Sequence, residues 1–129
     1  MCRCASGERR RAGFTVIELL VVLAAMTVLL AIAVPRYVAQ LDHAREVALK
    51  HDLRALREAI DQFRADQARA PASLDELVAK RYLRSLPVDP ITQRADSWIA
   101  LPSPAGDGLA DIKSGAAGQA KDGTAYASW

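Results

Sequence analysis

This sequence has few residues suited to nucleophilic catalysis or metal binding. Its two cysteines, Cys2 and Cys4, lie within the first 13 residues, and no histidine or cysteine follows His51. A Ser-His-Asp or Cys-His constellation therefore cannot form beyond that point within one chain. His43 and His51 would lie about 12 Å apart along a helix, too far to share one zinc ion through bonds of about 2 Å. We therefore expect no enzymatic activity.

A strong net charge of one sign is also missing. The formal net charge is +2, and residues 1–13 contribute four arginines against one glutamate, which is +3. The remainder of the chain is therefore close to −1. Such a balance does not indicate a surface for nucleic acid, so we expect no nucleic-acid partner.

Charge is nearly absent from one long stretch. Between Phe14 and Val34 the only ionisable residue is Glu18. About 20 apolar residues are enough to cross roughly 30 Å of hydrocarbon as a helix. The arginines just before this stretch should keep its N-terminal side in the cytoplasm, because positively charged flanks stay there. We predict one membrane-spanning helix, with everything after Pro35 on the other side of the membrane.

The small residue beside the apolar stretch stands before it. An ordinary signal peptide has its small-residue cleavage site after the apolar core. Residues 13–20 read GFTVIELL and closely resemble the processing motif of type IV prepilins and pseudopilins. The resemblance implies that a prepilin peptidase cleaves after Gly13 and methylates the amine of Phe14. Only the basic leader 1–13 would then be lost, and the helix would become the new N-terminus.

Glu18 and Pro35 are the two residues that we assign to assembly. A carboxylate within a membrane helix costs about 2.5 to 3.5 kcal/mol on insertion scales. The resemblance implies that the Phe14 amine of a neighbouring subunit pairs with Glu18; the alternative is a carboxylate tolerated near the interface by snorkelling or protonation. Pro35 removes a backbone donor and can kink or melt the helix. In pilin filaments a proline at the matching position sits beside a melted stretch.

An amphipathic pattern follows the apolar stretch. No proline or glycine occurs between Arg36 and Arg69, and apolar residues recur there at helical spacings of four and three, which predicts one buried helix face. These residues are Leu49, Leu53, Leu56, Ile60 and Phe63. The opposite side carries opposite charges four residues apart, a spacing that favours a solvated helix surface. The pairs are Glu46 with Lys50, Arg54 with Glu58, and Arg57 with Asp61.

The remaining residues predict a small mixed head. The sequence from Ser73 to Glu76 is a capping-box pattern, which predicts a short helix ending near Lys80. Ser97–Leu101 and Leu109–Ser114 are strand candidates separated by a turn-rich segment, and we expect them to form an antiparallel sheet. The fold class is therefore α+β and pilin-like. Its expected parts are the leader 1–13, the transmembrane and assembly helix 14–35, the amphipathic stem 36–70 and the periplasmic head 71–129.

Further motifs make the chain similar to the major, G-type pseudopilin of type II secretion systems. They are the Pro35-Arg36 junction, the stem from Asp52 to Phe63 ending near Pro71, Tyr82-Leu83 with Leu86-Pro87-x-Asp89-Pro90, Asp111-Ile112-x-Ser114, and Trp129. The resemblance implies an inner-membrane precursor that polymerises with other pseudopilins on an inner-membrane platform into a periplasmic filament driving protein export. The alternative is a minor subunit of a type IV or competence pilus, acting in motility, adhesion or DNA uptake. A basic cluster around Tyr82, formed by Lys80, Arg81 and Arg84, suits that alternative.

One departure from the family pattern concerns calcium. G-type pseudopilins commonly hold calcium in the C-terminal loop through acidic side chains, and the matching positions here are Ala117 and Ala125. Calcium takes six to eight oxygen ligands, usually including carboxylates. Asp107, Asp111 and Asp122 remain as weak candidates. We expect no cofactor and weak or no dependence on calcium.

Overall fold

The structure, a computed structural model, describes residues 13–129; the predictions for the rest of the leader lie outside this range. In chain order the elements are α1 (Val16–Gln67), α2 (Leu74–Ala79), β1 (Trp98–Pro102), β2 (Leu109–Ser114) and a short 3-10 helix (Tyr126–Ser128). A long N-terminal helix, a short helix and a two-stranded antiparallel sheet confirm the α+β fold.

The helix α1 contains 52 residues and runs through Pro35 without interruption. It ends at Gln67, a few residues before the predicted stop at Pro71. The reason is local: Ala68 adopts the left-handed conformation, with φ of 53°, which a helix cannot continue. The stem helix is thus slightly shorter than the sequence predicts.

The chain forms two compact units, one ending at Val38 and one spanning Ala39–Trp129. In the second unit the predicted apolar stripe of α1 is buried and shares a core with one residue of α2 and three of the sheet. Those four residues are Leu77, Trp98, Leu109 and Ile112. Full burial of such a side chain stabilises the folded state by about 1.5 to 3 kcal/mol. The stem and the head therefore fold around one core.

The helix α2 begins as the capping-box pattern predicts, with one difference. The Ser73 hydroxyl accepts a hydrogen bond from the amide of Glu76, at 3.4 Å. The carboxylate of Glu76 accepts a hydrogen bond from the amide of Ala72, at 2.7 Å. In a standard capping box it would accept one from the amide of Ser73 instead. Both contacts satisfy backbone donors at the start of the helix.

The two strands pair antiparallel from Trp98 opposite Ser114 to Pro102 opposite Leu109, with an irregularity at the β1 end. These bounds agree with the predicted strands to within one residue. Gly108 closes the connection with φ of 116°, and a Cβ there would lie 2.5 Å from the carbonyl oxygen of Pro71. Only glycine fits this close approach.

Asp89 is fully buried and organises the segment that leads into β1. Its Oδ1 accepts hydrogen bonds from the amides of Ile91, at 2.8 Å, and Thr92, at 3.2 Å. Its Oδ2 accepts the hydroxyl of Ser114 in β2. A buried carboxylate is tolerated when its oxygens are hydrogen-bonded in this way.

The charged face predicted for α1 is exposed at Lys50, Arg54, Glu58 and Asp61, whereas Glu46 is buried. Among residues 13–129, the ion pairs join Arg45 with Asp42, Arg57 with Asp111, Arg69 with Glu76, and Arg94 with Asp96. Two of the charged residues on this face of α1 have hydrogen-bond partners in distant parts of the chain. Helical spacing cannot predict such partners. Arg57 binds β2, and Glu46 is buried beneath the C-terminal segment.

Candidate functional site

The predicted processing site lies just outside α1. Gly13, Phe14 and Thr15 are not helical, and the Phe14 side chain is 84% exposed. The predicted scissile bond between Gly13 and Phe14 therefore lies in exposed, non-helical chain. Methylation of the Phe14 amine, which the resemblance implies, remains a prediction.

Glu18 lies in the first turn of α1, where sequence reasoning missed the part played by Thr15. The Thr15 hydroxyl accepts a hydrogen bond from the amide of Glu18, at 3.2 Å, and its carbonyl accepts one from Leu19, at 3.1 Å. Thr15 is thus the N-cap of α1. The spacing of Thr15 and Glu18 matches a capping box, a signal legible in the sequence. Negative charge at this end of a helix also interacts favourably with the helix dipole.

The surface around Glu18 is apolar and uncovered. Every residue from Gly13 to Arg45 is exposed, including the large aliphatic side chains that follow Glu18. Within residues 13–129, α1 is the single helix long and apolar enough to cross a membrane, and its apolar part is not buried in the protein. The core helix of a soluble domain is, by contrast, mostly buried within its own chain.

Pro35 lies inside α1 close to the end of this apolar surface. Proline has no backbone N–H, so the carbonyl of Ala31, four residues earlier, receives no helical hydrogen bond from it. The helix is continuous here in the single subunit. Melting of this stretch in an assembled filament remains a prediction.

The three calcium candidates do not converge. Within residues 13–129, no group of three or more acidic, histidine or cysteine side chains is placed to hold a metal ion. Asp107 lies exposed between the strands. Burial alone would raise the pKa of Asp111, but hydrogen bonds from the Ile112 amide and the Arg57 guanidinium hold it below the usual value. Hydrogen bonds from the hydroxyl and amide of Thr124 likewise lower the pKa of Asp122.

The basic cluster forms a turn after α2, which we call the cationic turn: Lys80, Arg81 and Arg84. All three residues are exposed, and their side chains make no ion pair within residues 13–129. Arg81 adopts the left-handed conformation, with φ of 66°, at the position after a helix where glycine is usual. The chain thus holds an arginine where glycine would be less strained.

Two kinds of comparison place these features among known proteins. The family model described as the prokaryotic N-terminal methylation motif matches residues 9–34, which include the predicted processing site and Glu18. The type II secretion system core protein G of Pseudomonas aeruginosa is 33% identical over 99 residues, covering 64% of this chain and 70% of that protein.

Further proteins of the same name give similar matches. The one from Aeromonas hydrophila is 30% identical over 99 residues, covering 64% of this chain and 69% of its own length. The one from Dickeya chrysanthemi is 30% identical over 92 residues, covering 71% of this chain and 60% of its own length. No solved structure gives a significant match.

Proposed function

The chain belongs to the family of type II secretion system core protein G, and we propose that it is a structural subunit of the pseudopilus that drives protein export. The observation that carries this function is the methylation motif followed directly by an uncovered apolar helix. A helix of that kind is stable in a membrane and, once extracted, only against other helices. The subunit therefore exchanges lipid for neighbouring subunits when it assembles.

We propose that the precursor is anchored in the inner membrane with its N-terminus in the cytoplasm and its head in the periplasm. A prepilin peptidase removes the leader after Gly13 and methylates Phe14. The non-helical, exposed conformation of this bond supports cleavage there, because proteolysis concentrates in exposed chain outside helices and strands. Intact-mass analysis of the assembled protein tests the step, and a chain retaining residues 1–13 contradicts it.

Assembly through Glu18 follows from the cost of its charge. In hydrocarbon, a carboxylate near the start of α1 is stabilised when a cation approaches it. The amine of a processed Phe14 on a neighbouring subunit supplies such a cation. Within one chain, Phe14 precedes Glu18 by four residues. Methylation leaves that amine positively charged. Pro35, at the end of the apolar stretch, gives the helix a point at which it can deform as subunits pack.

The head and the stem each contribute one surface of a second contact between subunits. Glu58 and Asp61 on α1 carry charge opposite to that of the cationic turn. Both are exposed and make no ion pair within residues 13–129. Two different complementary patches on one subunit give a head-to-tail interface, and repetition of such an interface builds an open helical filament. We propose that the cationic turn of one subunit faces Glu58 and Asp61 of the next. The inner-membrane platform of the secretion system would guide this addition.

A deletion strain tests the function as a whole. Protein secretion, twitching and DNA uptake are measured side by side, with the wild-type gene returned on a plasmid as the control. We expect secretion to fail and to be restored by the plasmid, while the other two activities persist. Loss of twitching or DNA uptake with normal secretion would instead assign the chain to a type IV or competence pilus.

A further inference from the structure

Glu46 is a charged residue that is almost completely buried. It lies on α1 and is 8% exposed, although helical spacing predicts a solvated pair with Lys50. Its Oε1 accepts hydrogen bonds from the amide of Lys121, at 3.1 Å, and from the hydroxyl of Tyr126, at 3.3 Å. Burying a carboxylate is costly unless it is hydrogen-bonded. These bonds from the C-terminal segment therefore determine whether Glu46 tolerates its position.

Two further contacts fasten the same segment to α1. The Nζ of Lys121 donates to the carbonyl oxygen of Ala39, at 2.7 Å. The Nζ of Lys50 lies 4.2 Å from the centroid of the Trp129 ring, within the range of a cation–π interaction. We call residues 118–129 the strap. It touches α1 at Ala39, Glu46 and Lys50, which span about three turns of one helix.

The strap has internal contacts that keep its shape. The amide and hydroxyl of Thr124 donate to Asp122, and the indole of Trp129 donates to the Thr124 hydroxyl, at 2.8 Å. The rings of Tyr126 and Trp129 meet edge to face with centroids 5.3 Å apart. Burial, together with the nearby Glu46 carboxylate, raises the pKa of Tyr126, so its hydroxyl remains a donor at neutral pH.

The position of the strap along α1 suggests what it does. Ala39 is the first residue of the second compact unit, and it follows Pro35 by four residues. Pro35 removes a helical hydrogen bond, so local unwinding of α1 should begin near it. From Ala39 onward, the helix contacts residues that are up to 82 positions away in the sequence.

We propose that the strap confines unwinding of α1 to the residues before Ala39. The first turns of the second unit then stay helical even when the stretch around Pro35 opens. This property belongs to the single subunit, so it does not depend on the filament function proposed above. Glu46 and Lys121 are its positioning residues.

Hydrogen exchange of the full chain in detergent micelles tests the proposal. Lys121→Met removes the ammonium and retains the apolar stem, while Tyr126→Phe removes one hydroxyl. Each substitution is expected to speed amide exchange in residues 39–46 by about tenfold, because one contact to that segment is lost. Exchange in residues 53–63, within the core, should not change. Lys113→Met, at a lysine of β2 without a side-chain hydrogen bond within residues 13–129, is the matched control.

Two results would overturn the proposal. Exchange in residues 39–46 that stays at the wild-type rate in both variants would show that the strap does not hold this part of α1. Exchange accelerated equally across residues 39–63 would show that the strap only adds to the stability of the whole unit. If Lys121→Met failed to fold, Tyr126→Phe would decide, because it changes a single partly buried oxygen.

Discussion

The Nε atom of Arg57 on α1 and the Oδ1 atom of Asp111 on β2 lie 2.8 Å apart. Arg57 also donates from Nη2 to the carbonyl oxygen of Ile112, at 3.1 Å. Both side chains are about 40% exposed, and such ion pairs contribute roughly 0 to 1 kcal/mol. The pair matters because it engages Asp111, one of the three carboxylates that remained as calcium candidates.

Calcium is expected to have little effect on the stability of this protein. Asp111 is engaged by Arg57, Asp122 is engaged by Thr124, and Asp107 lies apart on an exposed loop. The unfolding temperature of the full chain in detergent should therefore change little between chelator and added calcium. An ion present at 100 times its dissociation constant adds about 2.7 kcal/mol to the free energy of unfolding. A rise in unfolding temperature of that size would contradict the expectation.

Asp89→Ala is expected to destabilise the head strongly. The substitution leaves the amides of Ile91 and Thr92 and the hydroxyl of Ser114 without their acceptor, and an unsatisfied buried donor costs about 1 to 3 kcal/mol. Denaturant unfolding should show a loss of at least about 2 kcal/mol. Asp107→Ala, at an exposed carboxylate, is the control and should change stability by less than about 0.5 kcal/mol. Equal effects of the two substitutions would contradict the organising role of Asp89.

Stability is expected to depend on Glu76 at acid pH. Hydrogen bonds from Arg69, together with the amide of Ala72, lower the pKa of Glu76 from 4.5 to about 2. A carboxylate with a depressed folded pKa stabilises the protein fully above its unfolded pKa, and this contribution disappears as pH falls through the folded pKa. The unfolding temperature of the wild type should therefore exceed that of Glu76→Gln at pH 6, and the difference should shrink between pH 4.5 and 2. Asp75→Asn, at the neighbouring exposed carboxylate, is the matched control. A difference in unfolding temperature between the wild type and Glu76→Gln that stays constant with pH would contradict a stabilising role of the Glu76 charge.

Charge reversal tests the proposed contact between the cationic turn of one subunit and α1 of the next. Arg84→Glu should reduce filament yield, as should Asp61→Arg, because each places like charges opposite one another. The two substitutions combined should restore much of the yield, whereas Lys113→Glu should have little effect. Filament yield is measured by cross-linking and shearing. Failure of the combined variant to recover, with each single variant impaired, would mean that the two patches do not meet.

Local patterns in the sequence predicted much of the fold. The long helix, the Ser73 cap and both strands follow from short-range spacing, which acts within a few residues. The N-cap role of Thr15 was equally legible from its spacing to Glu18. Glu46 and Asp89 could not be predicted, because their hydrogen-bond partners are as many as 80 and 25 residues away. Helical spacing paired Glu46 with Lys50, and tertiary contacts replaced that pairing.

Assembly through Glu18 is tested most directly by Glu18→Gln, which retains the shape and hydrogen-bonding capacity of the side chain and removes its charge. Removing the charge should let the variant insert into the membrane at least as readily as the wild type, because an expensive group is gone. Its recovery in sheared or cross-linked filaments should nevertheless fall sharply, because no carboxylate remains to pair with the Phe14 amine of a neighbour. Filaments of Glu18→Gln recovered at wild-type yield would contradict charge pairing as the basis of assembly.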